Sequence, residues 1–145
     1  RGKYKNHKSA RSSTFECFIE IDMLHAPTSL LPGDLVYLCA PAKAIEEHYI
    51  EAAEEWLQSV GLRAIRSKHI GGRHHYFSGT TLERLSDLQE GLDHPEAKAI
   101  WCVRGGYGCI QLLDGLQWAQ FIREPKWLIG FSDVCVLHHK IQSAS

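Results

Sequence analysis

The sequence has no long apolar run and no closely spaced cysteine pair. No apolar stretch approaches the roughly 20 residues of a membrane-spanning helix, and the basic start lacks the uninterrupted apolar region of a secretion signal. The five cysteines are an odd number without a Cys-x-x-Cys pair, and Cys39 and Cys102 lie in apolar runs, as reduced cysteines of the cell interior do. We expect a cytoplasmic protein without a membrane partner.

Basic residues are scarce outside the first eleven positions. The net charge is −1, but five of the sixteen Lys and Arg residues lie in residues 1–11, before the first acidic residue, Glu16. The rest of the chain has eleven basic against seventeen acidic residues. A basic tail without interleaved aromatic residues is weak support for nucleic-acid binding, so we expect no nucleic-acid partner.

Composition divides the chain into a tail over residues 1–29 and one α/β domain over residues 30–145. Residues 1–14 are basic, Ser-rich and aperiodic, which predicts disorder, whereas residues 15–23 alternate like a strand. Because Met23 is the only methionine, one interpretation is that the natural protein starts there. The helical pattern at the end lacks a C-cap signal, so we expect a piece of a longer protein.

Strand and helix patterns alternate within the domain. Apolar runs predict buried strands at residues 35–40, 62–65, 99–103 and 127–129, with helices between them. This alternation predicts right-handed crossovers and a doubly wound parallel sheet with helices on both faces. Ligands bind at the carboxyl ends of the strands in such sheets, so the loops after the first, third and fourth strands should form the site.

The spacing of apolar residues predicts which helical side chains face the core. The segment Thr80–Glu83 has capping-box spacing, so we expect a helix to begin there. The residues predicted to face the core are Ile45, Tyr49, Ala52, Ala53, Trp56 and Val60 in the first helix, and Leu82, Leu85, Leu88 and Leu92 in the second.

Ser132 lies between the strand predicted at 127–129 and a helical segment that begins near Val134. Its hydroxyl should therefore project from a sharp strand-to-helix turn, close to the positive end of a helix dipole. Such a turn is how α/β folds present a nucleophilic serine. An ordinary serine N-cap after a strand fits the same segment, and this segment alone leaves both interpretations open.

A glycine-rich turn, Arg104-Gly-Gly-Tyr-Gly108, follows the third predicted strand. Its backbone amides could face an anion, or the glycines could merely relieve strain in a tight turn. It lacks the full G-x-G-x-x-G pattern and a following Lys-Ser/Thr, so support for nucleotide binding is weak. Beside the serine turn, the amides of Gly105 or Gly106 and of Asp133 would form an oxyanion hole.

The histidines are not convincing ligands or bases. His69, His74 and His75 match no standard zinc spacing, so we expect no metal. His138 lies about 9 Å beyond Ser132 along a helix axis, outside the hydrogen-bond reach of about 2.6–3.2 Å. Neither His138 nor its neighbour His139 should serve as the base.

Several motifs in a fixed order resemble the LD-carboxypeptidases, serine peptidases of the muramoyl-tetrapeptide carboxypeptidase and microcin-resistance type. The resemblance covers about residues 30–141, roughly the family's N-terminal half. The motifs are Leu31-Pro-Gly-Asp34, Ala40-Pro-Ala42, Phe77-Ser-Gly-Thr80, Glu83-Arg84, Asp87-Leu88, Lys98-Ala-Ile100, Arg104-Gly-Gly-Tyr-Gly108, Gly130-Phe-Ser-Asp133 and Leu137-His138.

The resemblance implies a flavodoxin-like fold and a role for each matching residue. Ser132 is the expected nucleophile, and the backbone amides of Gly105, Gly106 and Asp133 form the expected oxyanion hole. The family's base histidine and its orienting glutamate belong to a C-terminal domain that we expect to be absent here. Cys135 stands where the family has threonine, a position that we interpret as helix packing.

The implied substrate is a murein tetrapeptide, cut before its terminal D-alanine during peptidoglycan recycling in the cytoplasm. Arg104 and Tyr107 are expected to bind substrate, although Arg104 could instead form a salt bridge near its turn. No metal or cofactor is expected, and the longer protein could be a homodimer. A peptidyl-nucleotide antibiotic is an equally compatible substrate.

We expect the 145-residue chain alone to be inactive, because the base is missing. The alternative function is a non-catalytic module, either a truncated remnant or a phosphate-binding or anion-binding flavodoxin-like domain that uses the turn at residues 105–108.

Overall fold

The computed structural model describes residues 26–144, in which four strands form one all-parallel sheet with the order β2-β1-β3-β4. The strands are β1 (Leu35–Cys39), β2 (Arg63–Arg66), β3 (Ala97–Cys102) and β4 (Trp127–Ile129). The helices are α1 (Glu47–Ser59), α2 (Thr81–Asp93), α3 (Ala119–Arg123) and α4 (Cys135–Ala144), with 3₁₀ turns at Cys109–Leu112 and Ser132–Val134. The predicted flavodoxin-like α/β fold is confirmed.

Side chains alternate between the two faces of the sheet along each strand, and helices pack on both faces. On one face, Tyr37 and Ile100 pack in a cluster with residues of α2, α3 and α4. On the other face, Val36, Leu38 and Ala99 pack against α1. We call these the three-helix face and the α1 face.

The predicted core-facing side of α1 is wrong by about one position. Ala53, and Ile45 just before the helix, are buried as predicted, but the other buried residues of the helix are Ile50 and Leu57. Tyr49, Trp56 and Val60 are instead exposed. Both sets of residues have helical spacing, so packing against the sheet decides which set is inside.

Helix α2 begins as predicted, at a capping box. The Thr80 side chain accepts a hydrogen bond from the Glu83 amide, and the Glu83 carboxylate accepts one from the Thr80 amide. Leu88 and Leu92 are buried, as predicted, whereas Leu82 is 76% exposed. Leu82 lies in the first turn of the helix.

Strand β4 is not buried as predicted, because it is an edge strand of the sheet. Its residues Trp127 and Ile129 are 42% and 39% exposed on the α1 face. Within residues 26–144, α1 is the only helix that packs on this face. It leaves an apolar cleft of about 430 Å³, lined by Leu30, Val36, Trp56, Leu57, Leu62, Trp101 and Ile129.

The predictions of disorder for residues 1–14, of a strand for residues 15–23 and of a start at Met23 lie outside the described residues. The first described residues lie beside β4, where the Trp127 indole N–H donates a 2.8 Å hydrogen bond to the Thr28 carbonyl. Across residues 26–144, none of the helices has the length and apolar character to cross a membrane.

Candidate active site

Ser132 lies at the carboxyl edge of the sheet, on the strand-to-helix turn that the sequence predicts. Its φ of +58° is in the left-handed region, which in the described chain only one other non-glycine residue, His75, occupies. Phe131 before it is extended, and the 3₁₀ turn Ser132–Val134 leads directly into α4. A non-glycine residue held in this conformation is strained, and such strain concentrates at functional sites.

The serine turn depends on a glycine that lies two residues before Ser132. A Cβ atom at Gly130 would lie 2.6 Å from Cγ1 of Val134, so a larger residue would not fit without movement. Val134 is buried, and its amide donates a 3.2 Å hydrogen bond to the Phe131 carbonyl. Gly130 and Val134 together fix the path of the chain through Ser132.

The glycine-rich turn packs directly against the serine turn. A Cβ atom at Gly105 would lie 2.9 Å from the Phe131 carbonyl oxygen, 3.3 Å from Cβ of Ser132 and 3.7 Å from the Asp133 nitrogen. Only glycine permits this approach. The amides of Gly105, Gly106 and Asp133 make no hydrogen bond to another group of residues 26–144. The described chain therefore supplies no acceptor for these three donors.

The Asp133 side chain connects the two turns, a role that we did not predict from the sequence. Its Oδ2 accepts a 2.8 Å hydrogen bond from the Cys109 amide, which follows the glycine-rich turn. Burial first, and then the Asp133 charge, raise the pKa of the Cys109 thiol well above its ordinary value. The thiol therefore stays protonated and acts as a packing group.

Arg84 of α2 is fully buried behind these turns, in a role that we did not predict. Its Nη1 donates to the Pro41 carbonyl at 2.7 Å and to the Gly108 carbonyl at 3.2 Å, so it joins the loops after β1 and β3. Its guanidinium also lies 4.5 Å from the centre of the Phe77 ring. The sequence contains one signal for this role: Arg84 is a charged residue four positions before Leu88, on the inward side of an amphipathic helix.

A groove of about 450 Å³ contains Ser132, Gly105 and Gly106. We call it the serine groove. It adjoins a second pocket of about 570 Å³, which we call the cationic pocket; its lining residues are Lys43, Ala44, Glu46, Arg73, Tyr76, Arg104 and Tyr107. Lys43 and Arg104 line both spaces.

The structure brings the residues predicted at this site to one edge of the sheet. Arg104 lines both spaces and Tyr107, which is half exposed, lines the cationic pocket. Arg104 forms no ion pair with a carboxylate of residues 26–144, so the predicted alternative of a salt bridge near its turn is not seen there. Arg73 and Tyr76 were not predicted, because their proximity to Ser132 depends on the fold. Lys43 lies in the loop after β1 that was predicted to form the site, but its side chain was not singled out.

Two of the histidines considered as ligands or bases, His138 and His69, have local partners. Nε2 of His138 lies 3.0 Å from the Leu128 carbonyl oxygen of β4, so that nitrogen donates a hydrogen bond to the backbone. His69 pairs through Nδ1 with the Asp87 carboxylate at 2.7 Å. Among the residues that the structure describes, no group of three or more His, Cys, Asp or Glu side chains could hold a metal ion.

A family model described as the LD-carboxypeptidase N-terminal domain matches residues 36–145. The chain belongs to the LD-carboxypeptidase family. The murein tetrapeptide carboxypeptidase of Pseudomonas aeruginosa is 45% identical to this LD-carboxypeptidase chain over 103 residues, which are 70% of the chain and 34% of the relative.

Two further relatives are MccF and an MccF-like protein. The microcin C7 self-immunity protein MccF of Escherichia coli is 32% identical over 98 residues, 68% of this chain and 28% of MccF. A structure of the MccF-like protein of Bacillus anthracis has a TM-score of 0.75 and 28% identity, and the match covers 81% of this chain and 36% of that one. The LD-carboxypeptidase chain thus spans about a third of the length of its relatives.

Proposed function

We propose that this chain is the nucleophile-bearing domain of a serine-type LD-carboxypeptidase. The observation that carries the proposal is Ser132 at φ +58°, packed against a turn whose Gly105 and Gly106 amides are unoccupied. In the proposed reaction, the Ser132 hydroxyl oxygen attacks the carbonyl carbon of an L,D-peptide bond. The carbonyl oxygen becomes an oxyanion that accepts hydrogen bonds from Gly105 or Gly106 and from Asp133.

The reaction requires a base that takes the proton of Ser132 and passes it to the leaving amine. His138 cannot easily supply it, because Nε2 of its ring is bonded to the backbone of β4. We propose that a histidine and an orienting glutamate come from a C-terminal domain of a longer protein. Relatives about three times as long as the matched region are consistent with this arrangement.

The proposed substrate is a murein tetrapeptide that loses its terminal D-alanine during peptidoglycan recycling in the cytoplasm. The name of the Pseudomonas relative supports this substrate class, and Arg104 and Tyr107 are proposed to contact the peptide. A water molecule would then hydrolyse the acyl-enzyme, so the proposed reaction needs neither a metal nor a cofactor. We propose no nucleic-acid or membrane partner, and a homodimer of the longer protein as its assembly.

A peptidyl-nucleotide is the second candidate substrate. A structure of MccF in complex with aspartyl sulfamoyl adenosine has a TM-score of 0.71 and 28% identity, covering 84% of this chain and 37% of MccF. The likeness covers most of this chain, so this part of the protein is compatible with either substrate.

The test compares the 145-residue chain with the protein encoded by the full reading frame. We expect the longer protein to release D-alanine from an L,D-tetrapeptide, and the chain alone to release essentially none. Ser132→Ala in the longer protein should lower the rate by at least about 10³-fold. Ser59→Ala, at the exposed end of α1, is the matched control and should leave the rate unchanged.

Two results would contradict the proposal. Full activity of Ser132→Ala would show that another residue is the nucleophile. Ordinary turnover by the 145-residue chain would place the base within it. A stop codon directly after Ser145 would instead favour the alternative of a truncated, non-catalytic module or an anion-binding domain.

A further inference from the structure

We propose that the cationic pocket is a receptor for the terminal carboxylate of the substrate, and that Lys43 and Arg73 hold this carboxylate together with Arg104. The proposal rests on the proposed function, because it assigns the group beside the bond that Ser132 would attack. It adds two specificity-determining residues, Lys43 and Arg73, which the sequence motifs do not contain.

The cations of this pocket have no anionic partner within residues 26–144. The Lys43 ammonium instead lies 5.9 Å from the centre of the Tyr76 ring. Four of the six arginines in this part of the chain donate side-chain hydrogen bonds, and the remaining two both line the cationic pocket. The four are Arg63, Arg66, Arg84 and Arg123, and the two are Arg73 and Arg104.

Lys43 is held against the glycine-rich turn. A Cβ atom at Gly106 would lie 2.6 Å from both Cγ and Cδ of Lys43, so the aliphatic part of the lysine crosses the position that any larger side chain would occupy. The backbone beside it is fixed as well, since the Ala44 amide donates a 2.9 Å hydrogen bond to the Tyr76 carbonyl. The ammonium group is therefore positioned by packing.

A continuous series of contacts connects this lysine to Ser132. Gly105 contacts Ser132, and the next residue, Gly106, contacts Lys43. In the substrate of a carboxypeptidase, the scissile nitrogen and the terminal carboxylate are attached to the same carbon atom. A peptide whose carbonyl lies at Ser132 must therefore place its carboxylate near the serine groove, where Lys43 and Arg104 enter the adjoining pocket.

The charges of the pocket favour an anion. Its lining contains Lys43, Arg73 and Arg104 but only one carboxylate, that of Glu46. The Glu46 carboxylate lies 3.5 Å from Nδ1 of His48. Charge-assisted hydrogen bonds from lysine and arginine to a carboxylate are roughly twice as strong as neutral ones. An amidated peptide would forgo them and should bind more weakly.

The test is an NMR titration of the 145-residue chain, which needs no catalytic base. The probe is an acetylated L,D-dipeptide that ends in D-alanine with a free carboxylate. Its C-terminal amide should bind at least about tenfold more weakly. Lys43→Met keeps the aliphatic contact with Gly106 and should weaken binding of the acid about tenfold. Arg73→Gln should do the same, and Lys43→Arg should restore most of the affinity.

Lys98→Met is the matched control, because Lys98 is exposed on β3 and lines a pocket at the opposite, amino end of the sheet. Equal affinity for the acid and the amide, or no effect of Lys43→Met, would overturn the proposal. Inorganic phosphate that binds as tightly as the acid would also overturn it, by showing a general anion site. An amidated dipeptide with a side-chain carboxylate that binds equally well would overturn the assignment to the terminal group.

These outcomes are separate from the test of the proposed function. Carboxylate binding that is retained while Ser132→Ala keeps full activity in the longer protein would support the receptor and contradict only the nucleophile. The reverse combination would overturn the receptor and leave the nucleophile in place.

Discussion

The two faces of the sheet are built from alternate residues of the same strands, but they are covered to different extents. On the three-helix face, Ile100 and Cys102 of β3 are almost completely buried. On the α1 face, Trp101 between them is only partly buried and lines the apolar cleft. The difference shows that an apolar run in a sequence predicts a strand, whereas burial depends on which helix lies over it.

The two faces also differ in how they support the carboxyl edge of the sheet. Arg84 reaches that edge from α2 of the three-helix face and bonds to the loops after β1 and β3. The uncovered part of the α1 face lies over β3 and β4, and Trp56 contacts Trp101 there with ring centres 5.6 Å apart. Substitutions on the two faces can therefore test how much the helices on each face contribute to the free energy of unfolding.

The largest expected effect comes from removing one leucine from each face. Leu88→Ala on the three-helix face should lower the free energy of unfolding by about 3–5 kcal/mol, because the cavity is enclosed. Leu57→Ala on the α1 face should cost only about 2–3 kcal/mol, because the lost side chain borders the open cleft. Urea denaturation measures both values. Equal losses would mean that the cleft is closed in solution.

Arg84→Met should have the next largest effect, about 2–4 kcal/mol, because a buried donor is lost and the Pro41 and Gly108 carbonyls lose their partner. Urea denaturation measures this loss as well. Arg123→Met, on the exposed side of α3, is the matched control and should be nearly neutral. A neutral Arg84→Met would show that the loops after β1 and β3 do not depend on this contact.

Thr80→Ala should lower the free energy of unfolding by about 1 kcal/mol, since it removes the side-chain cap of α2. Backbone and side-chain hydrogen bonds from Thr80 hold the pKa of Glu83 below its ordinary value. The stabilisation is therefore present at neutral pH and is lost as the pH falls through that pKa. The difference between wild type and Thr80→Ala should shrink in acid. A difference that grows in acid would contradict the capping box.

Leu82→Gln should have the smallest effect, within about 0.5 kcal/mol of zero, because Leu82 is 76% exposed. It is a control within α2 for Leu88→Ala. A loss of more than about 1 kcal/mol would show that a further segment covers this turn of the helix in solution.

Much of the fold follows from the sequence because strands, crossovers and the capping box are local signals. The apolar runs located all four strands within one or two residues, and Thr80 and Glu83 located the start of α2. The inward side of α1 could not be chosen, because Trp56 and Leu57 belong to two equally regular apolar stripes. Only the sheet beneath the helix selects Leu57.

The candidate site divides in the same way. Ser132 and the glycine-rich turn follow strand ends, so parallel topology alone brings them to one edge. Lys43 lies in the loop after β1, which the topology also brings to this edge, but nothing in the sequence marks its side chain for the site. Arg73 and Arg84 lack even that signal, because one lies in the long loop before α2 and the other inside α2. Their proximity arises from the hydrogen bonds and packing that join these segments, and no pattern in the sequence encodes those contacts directly.

At Ser132, the stability of the fold and the proposed catalytic role favour different residues, because the φ of this residue is positive. Glycine would adopt the same backbone with less strain, so selection for heat resistance alone should drive this position towards glycine. Selection for catalysis would hold the serine in spite of that pressure. Laboratory evolution for thermal tolerance without an activity screen would therefore erase the proposed nucleophile early, and would leave a sturdier but unreactive domain.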